Sequence, residues 1–195
     1  MDGFVAGPNG EFDWVFRNST EESRQWAAER MGQMSLHAIG NSSYQSMADF
    51  WPTANGPFAR PMNEIPKAVF SRSGAISPPT MEKTKAALEE GRVEQAVLES
   101  WLHPIVAGKD LVADIQRLKE GNGGPINAIG GASFATSLIA AHLVDLIDLV
   151  VHPVLLGKGL PIFAGLDSPV HLKLEELKQY DTGMVFKSYR PCYSK

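Results

Sequence analysis

Apolar positions change period along this chain, and the changes mark its elements. Short apolar runs at residues 35–40, 67–71, 126–129 and 148–154 are bounded by small or turn-forming residues and read as buried strands. Between them the period is helical. In 110–119, Leu111, Val112, Ile115 and Leu118 recur at helical spacing, with Asp110 as N-cap. Residues 43–50 read as a helix stopped ahead of Trp51-Pro52, 80–91 as a surface helix carrying Met81, Thr84 and Leu88, and 133–142 as a third. Earlier, Ser19 with Glu22 three residues on forms a capping box, opening a helix to about Met31 with Trp26 facing inward.

Other stretches are broken by turn residues. Residues 1–18 are turn-rich, with a tight turn at Pro8-Asn9-Gly10. Pro52, Pro57, Pro61 and Pro66 with Asn55-Gly56 make 52–66 a loop, and 74–80 is another. No element is assigned over 93–105. Residues 170–180 and 184–189 read as two closing strands about a Thr182-Gly183 turn. Strands and helices alternate, then strands close the chain. That order implies an α/β fold: a mixed, mostly parallel sheet flanked by helices, with a C-terminal antiparallel hairpin.

Composition narrows the function. At 195 residues, 44% of them hydrophobic, the chain fits a single domain over 1–195 with a core that needs no staples. The lone Cys192 excludes an internal disulfide framework and any zinc site built on several cysteines. The five histidines are scattered with no i,i+4 pair, so no metal is expected. A net charge of −4 argues against a nucleic-acid partner. No apolar run approaches the roughly 20 residues that span a bilayer, and residues 1–10 lack a secretory signal. A cytoplasmic protein with no membrane partner is therefore expected.

Four constellations could carry chemistry. Ile126–Ile129 runs into Gly130-Gly131-Ala132-Ser133-Phe134, a strand meeting two glycines and then a helix, where backbone N–H groups and the helix dipole attract an anion. The bland alternative is a turn that needs small residues. The segment is not a G-x-G-x-x-G fingerprint, which argues against a dinucleotide Rossmann fold. Ser71-Arg72-Ser73 ends another strand, and a planar guanidinium between hydroxyls suits the 2′-phosphate that distinguishes NADPH from NADH. A solvated strand end explains it as well. Gly40-Asn41-Ser42-Ser43-Tyr44 offers a second strand-to-helix junction, or an ordinary serine cap. Gly157-Lys158-Gly159 offers a lysine in a permissive loop, or a surface loop and nothing more. Asp2, Asp13, Glu21 and Glu22 are the carboxylates considered for proton donation, and capping explains the last two. No G-x-S-x-G elbow supports a hydrolase.

In order, Asp2-Gly3-Phe4-Val5-Ala6, Gly40 with Tyr44, Ser71-Arg72-Ser73, Gly130-Gly131-Ala132-Ser133 and the run from Val151 to Gly159 resemble the RibD C-terminal, dihydrofolate reductase-like family. The resemblance covers essentially the whole chain and is most specific over 130–163. It implies a dihydrofolate reductase-like sheet with NADPH across the carboxyl ends of its strands. It implies hydride transfer to a pterin-, folate- or pyrimidine-like molecule, similar to 5-amino-6-(5-phosphoribosylamino)uracil reductase of riboflavin biosynthesis. Carried over by position, Ser71, Arg72 and Ser73 would hold the 2′-phosphate. Gly130, Gly131, Ala132, Ser133 and Phe134 would meet the pyrophosphate and nicotinamide, and Gly40, Ser42, Ser43 and Tyr44 would complete the cleft. Asp2 and Trp14 would belong to a lid on the substrate side. A homodimer is implied as well.

The chain departs from the family in three places. Asn41 and Ser43 stand where the family often has arginine and threonine, which removes a positive charge beside the phosphates. No residue is assigned as the proton donor. The strand that precedes the Asp-Gly turn in the family has no counterpart before Met1, so residues 1–6 are expected at an open sheet edge or beneath another chain. These departures keep a second reading open: a non-catalytic nucleotide-binding or dimerisation domain on the same fold.

Overall fold

The computed structural model describes residues 1–193. Along the chain these form β1 (Phe4–Ala6), α1 (Trp14–Asn18), α2 (Glu21–Gly32), β2 (Leu36–Gly40), α3 (Asn41–Phe50), a 3-10 turn (Trp51–Thr53), α4 (Ala59–Glu64) and β3 (Lys67–Phe70). Then come α5 (Glu82–Glu89), α6 (Gln95–Leu102), β4 (Ile105–Ala107), α7 (Leu111–Asn122), β5 (Ile126–Ile129), α8 (Ala132–Ala140), β6 (Ile147–Val151), β7 (Leu160–Pro161), β8 (His171–Gln179) and β9 (Val185–Cys192). They divide into two compact units, Arg24–Gly131 and Met1–Ser23 with Ala132–Lys195.

The first unit is built on a four-stranded parallel sheet, ordered β4-β3-β2-β5. Its central strands read LHAIG and KAVF without polar alternation, as strands covered on both faces must. Ile39 and Val69 are fully buried and join Tyr44, Met62, Met81 and Trp101 in one core. The α7 helix starts where the sequence places it, with the Asp110 carboxylate accepting from the Ala113 amide at 3.0 Å.

Two expectations change here. Residues 52–66 are not all loop, because Pro61 lies in the first turn of α4, where its missing N–H has no intrahelical partner to lose. The blank at 93–105 holds α6 and the start of β4. The α6 helix buries Leu98 and Trp101 in the core.

A cationic side chain threads this core. Lys67 is 2% exposed, and its Nζ donates to Ile65 O (2.9 Å), Asn63 O (3.2 Å) and Ser100 Oγ (2.9 Å), 4.6 Å above the Trp101 ring. Trp101 Nε1 donates to Asn63 Oδ1 at 2.8 Å, so one asparagine ties the end of α4 to α6.

The second unit holds a three-stranded antiparallel sheet ordered β6-β9-β8 and a two-stranded pair, β1-β7. The hairpin turns at Gly183, whose φ of +80° needs glycine. The capping box lies one residue later than expected. Thr20 and Ser23 exchange side-chain-to-amide bonds at 3.1 and 2.9 Å, while Ser19 Oγ donates back to Val15 O.

Residues 4–6 do not lie at an open edge of either larger sheet. They pair antiparallel with β7, a strand inside the segment expected to be a glycine-rich loop. Gly159 makes the pairing possible, because a Cβ there would run into the Ala6 carbonyl oxygen. A Gly159→Ala variant should therefore lose about 1–3 kcal/mol of stability, the usual cost of an overpacked site. Urea unfolding measures it, and a midpoint equal to wild type would contradict this close approach.

Candidate functional site

Parallel strands release their chains at the same end of a sheet, and ligands of open α/β sheets bind there. In the Arg24–Gly131 unit, Gly40 pairs with Phe70, and Ile39 with Ile129. Ser71 follows Phe70, and Gly130 follows Ile129. The register therefore gathers Gly40-Asn41, Ser71-Arg72-Ser73 and Gly130-Gly131 at one end of the sheet, three motifs separated by at least thirty residues each in sequence.

Each motif presents donors. The α3 helix begins at Asn41 immediately after Gly40, with no side chain capping its first turn. Its leading N–H groups and positive dipole end are thus available to an anion. Ser42 is exposed and Ser43 half-buried beside them. Asn41 Oδ1 is buried with no hydrogen-bond partner among the described residues.

Ser71 is buried, its Oγ 2.9 Å from Ser73 Oγ, and the Gly74 amide closes a tight turn on Ser71 O at 2.9 Å. That turn throws Arg72 into solvent, with no carboxylate partner among the described residues. Gly131 has no atom within 4 Å of where a Cβ would lie, so a ligand can approach its backbone. From there the chain enters α8, which carries Ala132, Ser133 and Phe134 in its first turn, Ser133 exposed.

Gly108 holds the arginine turn in place. At φ +102° its Cα packs so tightly that a Cβ would lie 2.7 Å from Ser71 N and 3.0 Å from Ser71 O. The Ser71 amide donates to Ala107 O at 2.8 Å. The Gly108 amide donates to Asp114 Oδ2 at 2.7 Å, which keeps that carboxyl below the usual range, with Arg117 adding to the effect at 2.6 Å.

Tyr44 must be corrected. Its ring is fully buried and stacks 6.1 Å from Trp101, and its hydroxyl donates to Trp101 O. Burial pushes its pKa up to about 12. The side chain belongs to the core and is closed to a cofactor.

The residues expected on the substrate side lie in the other unit. Asp2 also departs from expectation: its Oδ2 accepts from the amides of Leu156 and Gly157, both at 2.8 Å. The Gly157 amide is the main reason its pKa is lowered. With the terminal amine donating to Val154 O at 3.0 Å, this carboxylate clamps the chain start to the 154–157 loop.

Trp14 meets His152 edge-on, with centroids 5.4 Å apart and planes at 82°. Trp14 Nε1 and His152 Nδ1 are both buried without hydrogen-bond partners among the described residues. Burial lowers the His152 pKa, so the ring is neutral at pH 7. Histidine spacing does not single out His152. The usable signal was its place at the end of β6, inside the most specific stretch of the chain. No group of three His, Cys, Asp or Glu stands ready for a metal among the described residues. No helix among them is long and apolar enough to cross a membrane.

The family model described as the RibD C-terminal domain matches residues 1–186. An uncharacterized protein, YyaP of Bacillus subtilis (strain 168), is 25% identical over 185 residues, spanning 95% of this chain and 87% of that one. A putative riboflavin biosynthesis protein from Shewanella sp. PV-4 superposes with a TM-score of 0.70 at 17% identity, covering 99% of this chain and 94% of the other. A pyrimidine reductase-like protein from Corynebacterium diphtheriae gives 0.62 at 15% identity, covering 97% and 90%. These structures share the fold: a parallel sheet flanked by helices, with an antiparallel hairpin.

Proposed function

Because the chain belongs to the RibD C-terminal domain family, we propose that it is an NADPH-dependent reductase acting on a pterin-, folate- or pyrimidine-like ring. The observation that carries this reading is the gathering of an uncapped helix start, an exposed arginine beside two serines, and two glycines at one sheet end. Those groups fit a phosphorylated dinucleotide. Arg72 with Ser73 would hold the 2′-phosphate, the first-turn amides of α3 with Ser42 and Ser43 would meet pyrophosphate oxygens, and Gly131 would let the cofactor lie against the backbone. The orphaned Asn41 Oδ1 is an acceptor for a ribose hydroxyl or carboxamide N–H, a role an arginine there could not fill.

When bound, the dinucleotide supplies a hydride to a carbon of a C=N or C=O group, whose heteroatom then takes a proton. The chain's own part is to bind, orient and exclude water. In the other unit, Trp14 Nε1–H is a buried donor without a hydrogen-bond partner among the described residues. Neutral His152 beside it can take or give a hydrogen bond at Nδ1.

Arg72→Ala tests the cofactor assignment. It should lower the preference for NADPH over NADH roughly 10- to 100-fold, the range of a charge-assisted hydrogen bond, and leave NADH affinity nearly unchanged. Equal losses for both cofactors would place the 2′-phosphate elsewhere. The absence of a family arginine at Asn41 favours a second reading, nucleotide binding without turnover. NADPH binding with no oxidation by any pterin or pyrimidine would select it.

A further inference from the structure

Two exits of the parallel sheet are laid against each other by backbone contact, and each carries a cation. Gly108, the first residue beyond β4, packs on Ser71, the first beyond β3, so closely that a Cβ on it would lie 2.7 Å from Ser71 N. The next residue, Lys109, continues the contact. Its Cβ, Cδ and Cγ lie 3.4, 3.5 and 3.8 Å from where a Cβ on Gly74 would stand. Gly74 closes the turn that carries Arg72, its amide donating to Ser71 O at 2.9 Å. The lysine stem is thus laid along the arginine turn, inside the Arg24–Gly131 unit. Arg72 and Gly74 are two residues apart, which keeps their Cα atoms within about 7 Å of each other.

Nothing acidic answers these two charges. Arg72 and Lys109 are both exposed, and neither has an ion-pair partner among the described residues. No Asp or Glu occurs from Ile65 to Met81 or from Ser100 to Lys109. The acids that follow are engaged. Asp110 Oδ1 accepts from the Ala113 amide at 3.0 Å, and Asp114 accepts from the Gly108 amide at 2.7 Å and from Arg117 at 2.6 Å. Gly40-Asn41-Ser42-Ser43 and Gly130-Gly131 bring no further cation to this sheet end. Two like charges rooted on touching backbone repel each other, and an anion between them turns that cost into attraction. Ser71 and Ser73, Oγ to Oγ at 2.9 Å, stand in the same turn to add hydroxyls.

We propose that Lys109 is a specificity-determining residue, the second cation on the 2′-phosphate of the dinucleotide; this rests on the NADPH reading of Arg72. A phosphomonoester presents three oxygens and close to two negative charges at pH 7, more than one guanidinium neutralises. Arg72 supplies a planar fork, and Lys109 a point charge on a stem whose freedom the contact with Gly74 restricts.

Calorimetric titration of the full chain with NADPH and with NADH tests this in wild type, Lys109→Met, Lys109→Arg and Arg72→Ala. Lys109→Met keeps an unbranched stem against Gly74 and removes the charge. It should weaken NADPH binding on the order of 10-fold, change NADH binding by less than about twofold, and flatten the salt dependence of NADPH binding between 50 and 500 mM NaCl. Lys109→Arg should restore most of the preference. Equal losses for both cofactors in Lys109→Met, or an unchanged NADPH affinity and salt slope, overturn the role of Lys109 while a preference lost in Arg72→Ala upholds the cofactor reading. A wild type that binds NADPH and NADH alike overturns that reading, and this proposal with it.

Wild type alone provides a second measurement. Saturating 2′,5′-ADP should slow acetylation of Lys109 by acetic anhydride at least about fivefold relative to 5′-AMP at the same fractional saturation. Equal rates with the two nucleotides reject the contact between Lys109 and the 2′-phosphate.

Discussion

Replacing Gly108 with alanine is expected to damage both the fold and the candidate cofactor site, and it is the largest single-site effect this structure implies. The added methyl would meet Ser71 N at 2.7 Å, Ser71 O at 3.0 Å and the Phe70 carbonyl carbon at 3.2 Å. All three are backbone atoms at the end of the central strand β3 or just beyond it, and cannot step aside as a flexible side chain would. A φ of +102° adds the penalty that any L-residue bears at such an angle. Overpacking and strain together should cost about 2–5 kcal/mol.

The functional consequence follows from what Gly108 touches. Any relief moves Ser71, and with it the turn that aims Arg72. NADPH affinity should fall at least about tenfold even at temperatures where the variant is folded, since a displaced arginine loses its charge-assisted bonds. Urea unfolding and an NADPH titration on the same sample check both parts. Wild-type stability in the variant would contradict the close approach, and wild-type affinity would remove Gly108 from the support of the site.

The second large effect is a stability that climbs with pH across nearly the whole accessible range, because of His37 and Lys67. His37 is fully buried on β2, its Nε2–H donating to Pro61 O at 3.2 Å and its Nδ1 without a partner. Burial first, with Lys67 contributing, holds its pKa down at about 4 against an ordinary 6.5. Between those values the unfolded chain binds a proton that the folded chain does not, so stability rises as pH increases from about 4 to 6.5.

Lys67 does the same at higher pH. Burial lowers its pKa to about 7 from 10.5, so the unfolded chain is the more protonated state between those two values. Stability therefore rises again from about pH 7 towards 10.5. The backbone and serine acceptors and the Trp101 face keep the ammonium form tolerable below pH 7. From pH 7 to 9.5 the gain should be on the order of 2 kcal/mol. Urea unfolding should show this gain in wild type and lose it in Lys67→Met, which cannot titrate. An equal slope in the two proteins would show that Lys67 has an ordinary pKa in the fold.

Three of the four parallel strands, β2, β3 and β5, and the helix starting at Asp110 were legible because buried strands and a capped amphipathic helix leave dense local signals, whereas three-residue β4, with Ile105 and Val106 exposed, leaves none. The helix at Ala59–Glu64 was not, because Pro61 has the same letter in a helix's first turn as in a loop. Ser19 and Thr20 are both able caps, and only the position of Ser23 decides between them. Of the candidate site, what was legible is the gathering of Gly40, Ser71-Arg72-Ser73 and Gly130-Gly131 at one sheet end, as parallel register requires. It was misread where a side chain's direction decides. Tyr44 follows three polar residues yet rotates into the core, because position 44 lies on the same face of α3 as Ala48. Asp2 closes a loop more than 150 residues away, a contact no local pattern encodes. His152 needed the fold to bring it against Trp14.

The central claim is that NADPH binds at the carboxyl end of the parallel sheet. Amide hydrogen exchange of the full chain, with and without saturating NADPH, tests it most directly. The expected result is slowed exchange at residues 41–44, 71–74 and 130–133, with smaller protection at 71–74 under NADH. Unchanged exchange at millimolar NADPH, or protection confined to other segments, would contradict it.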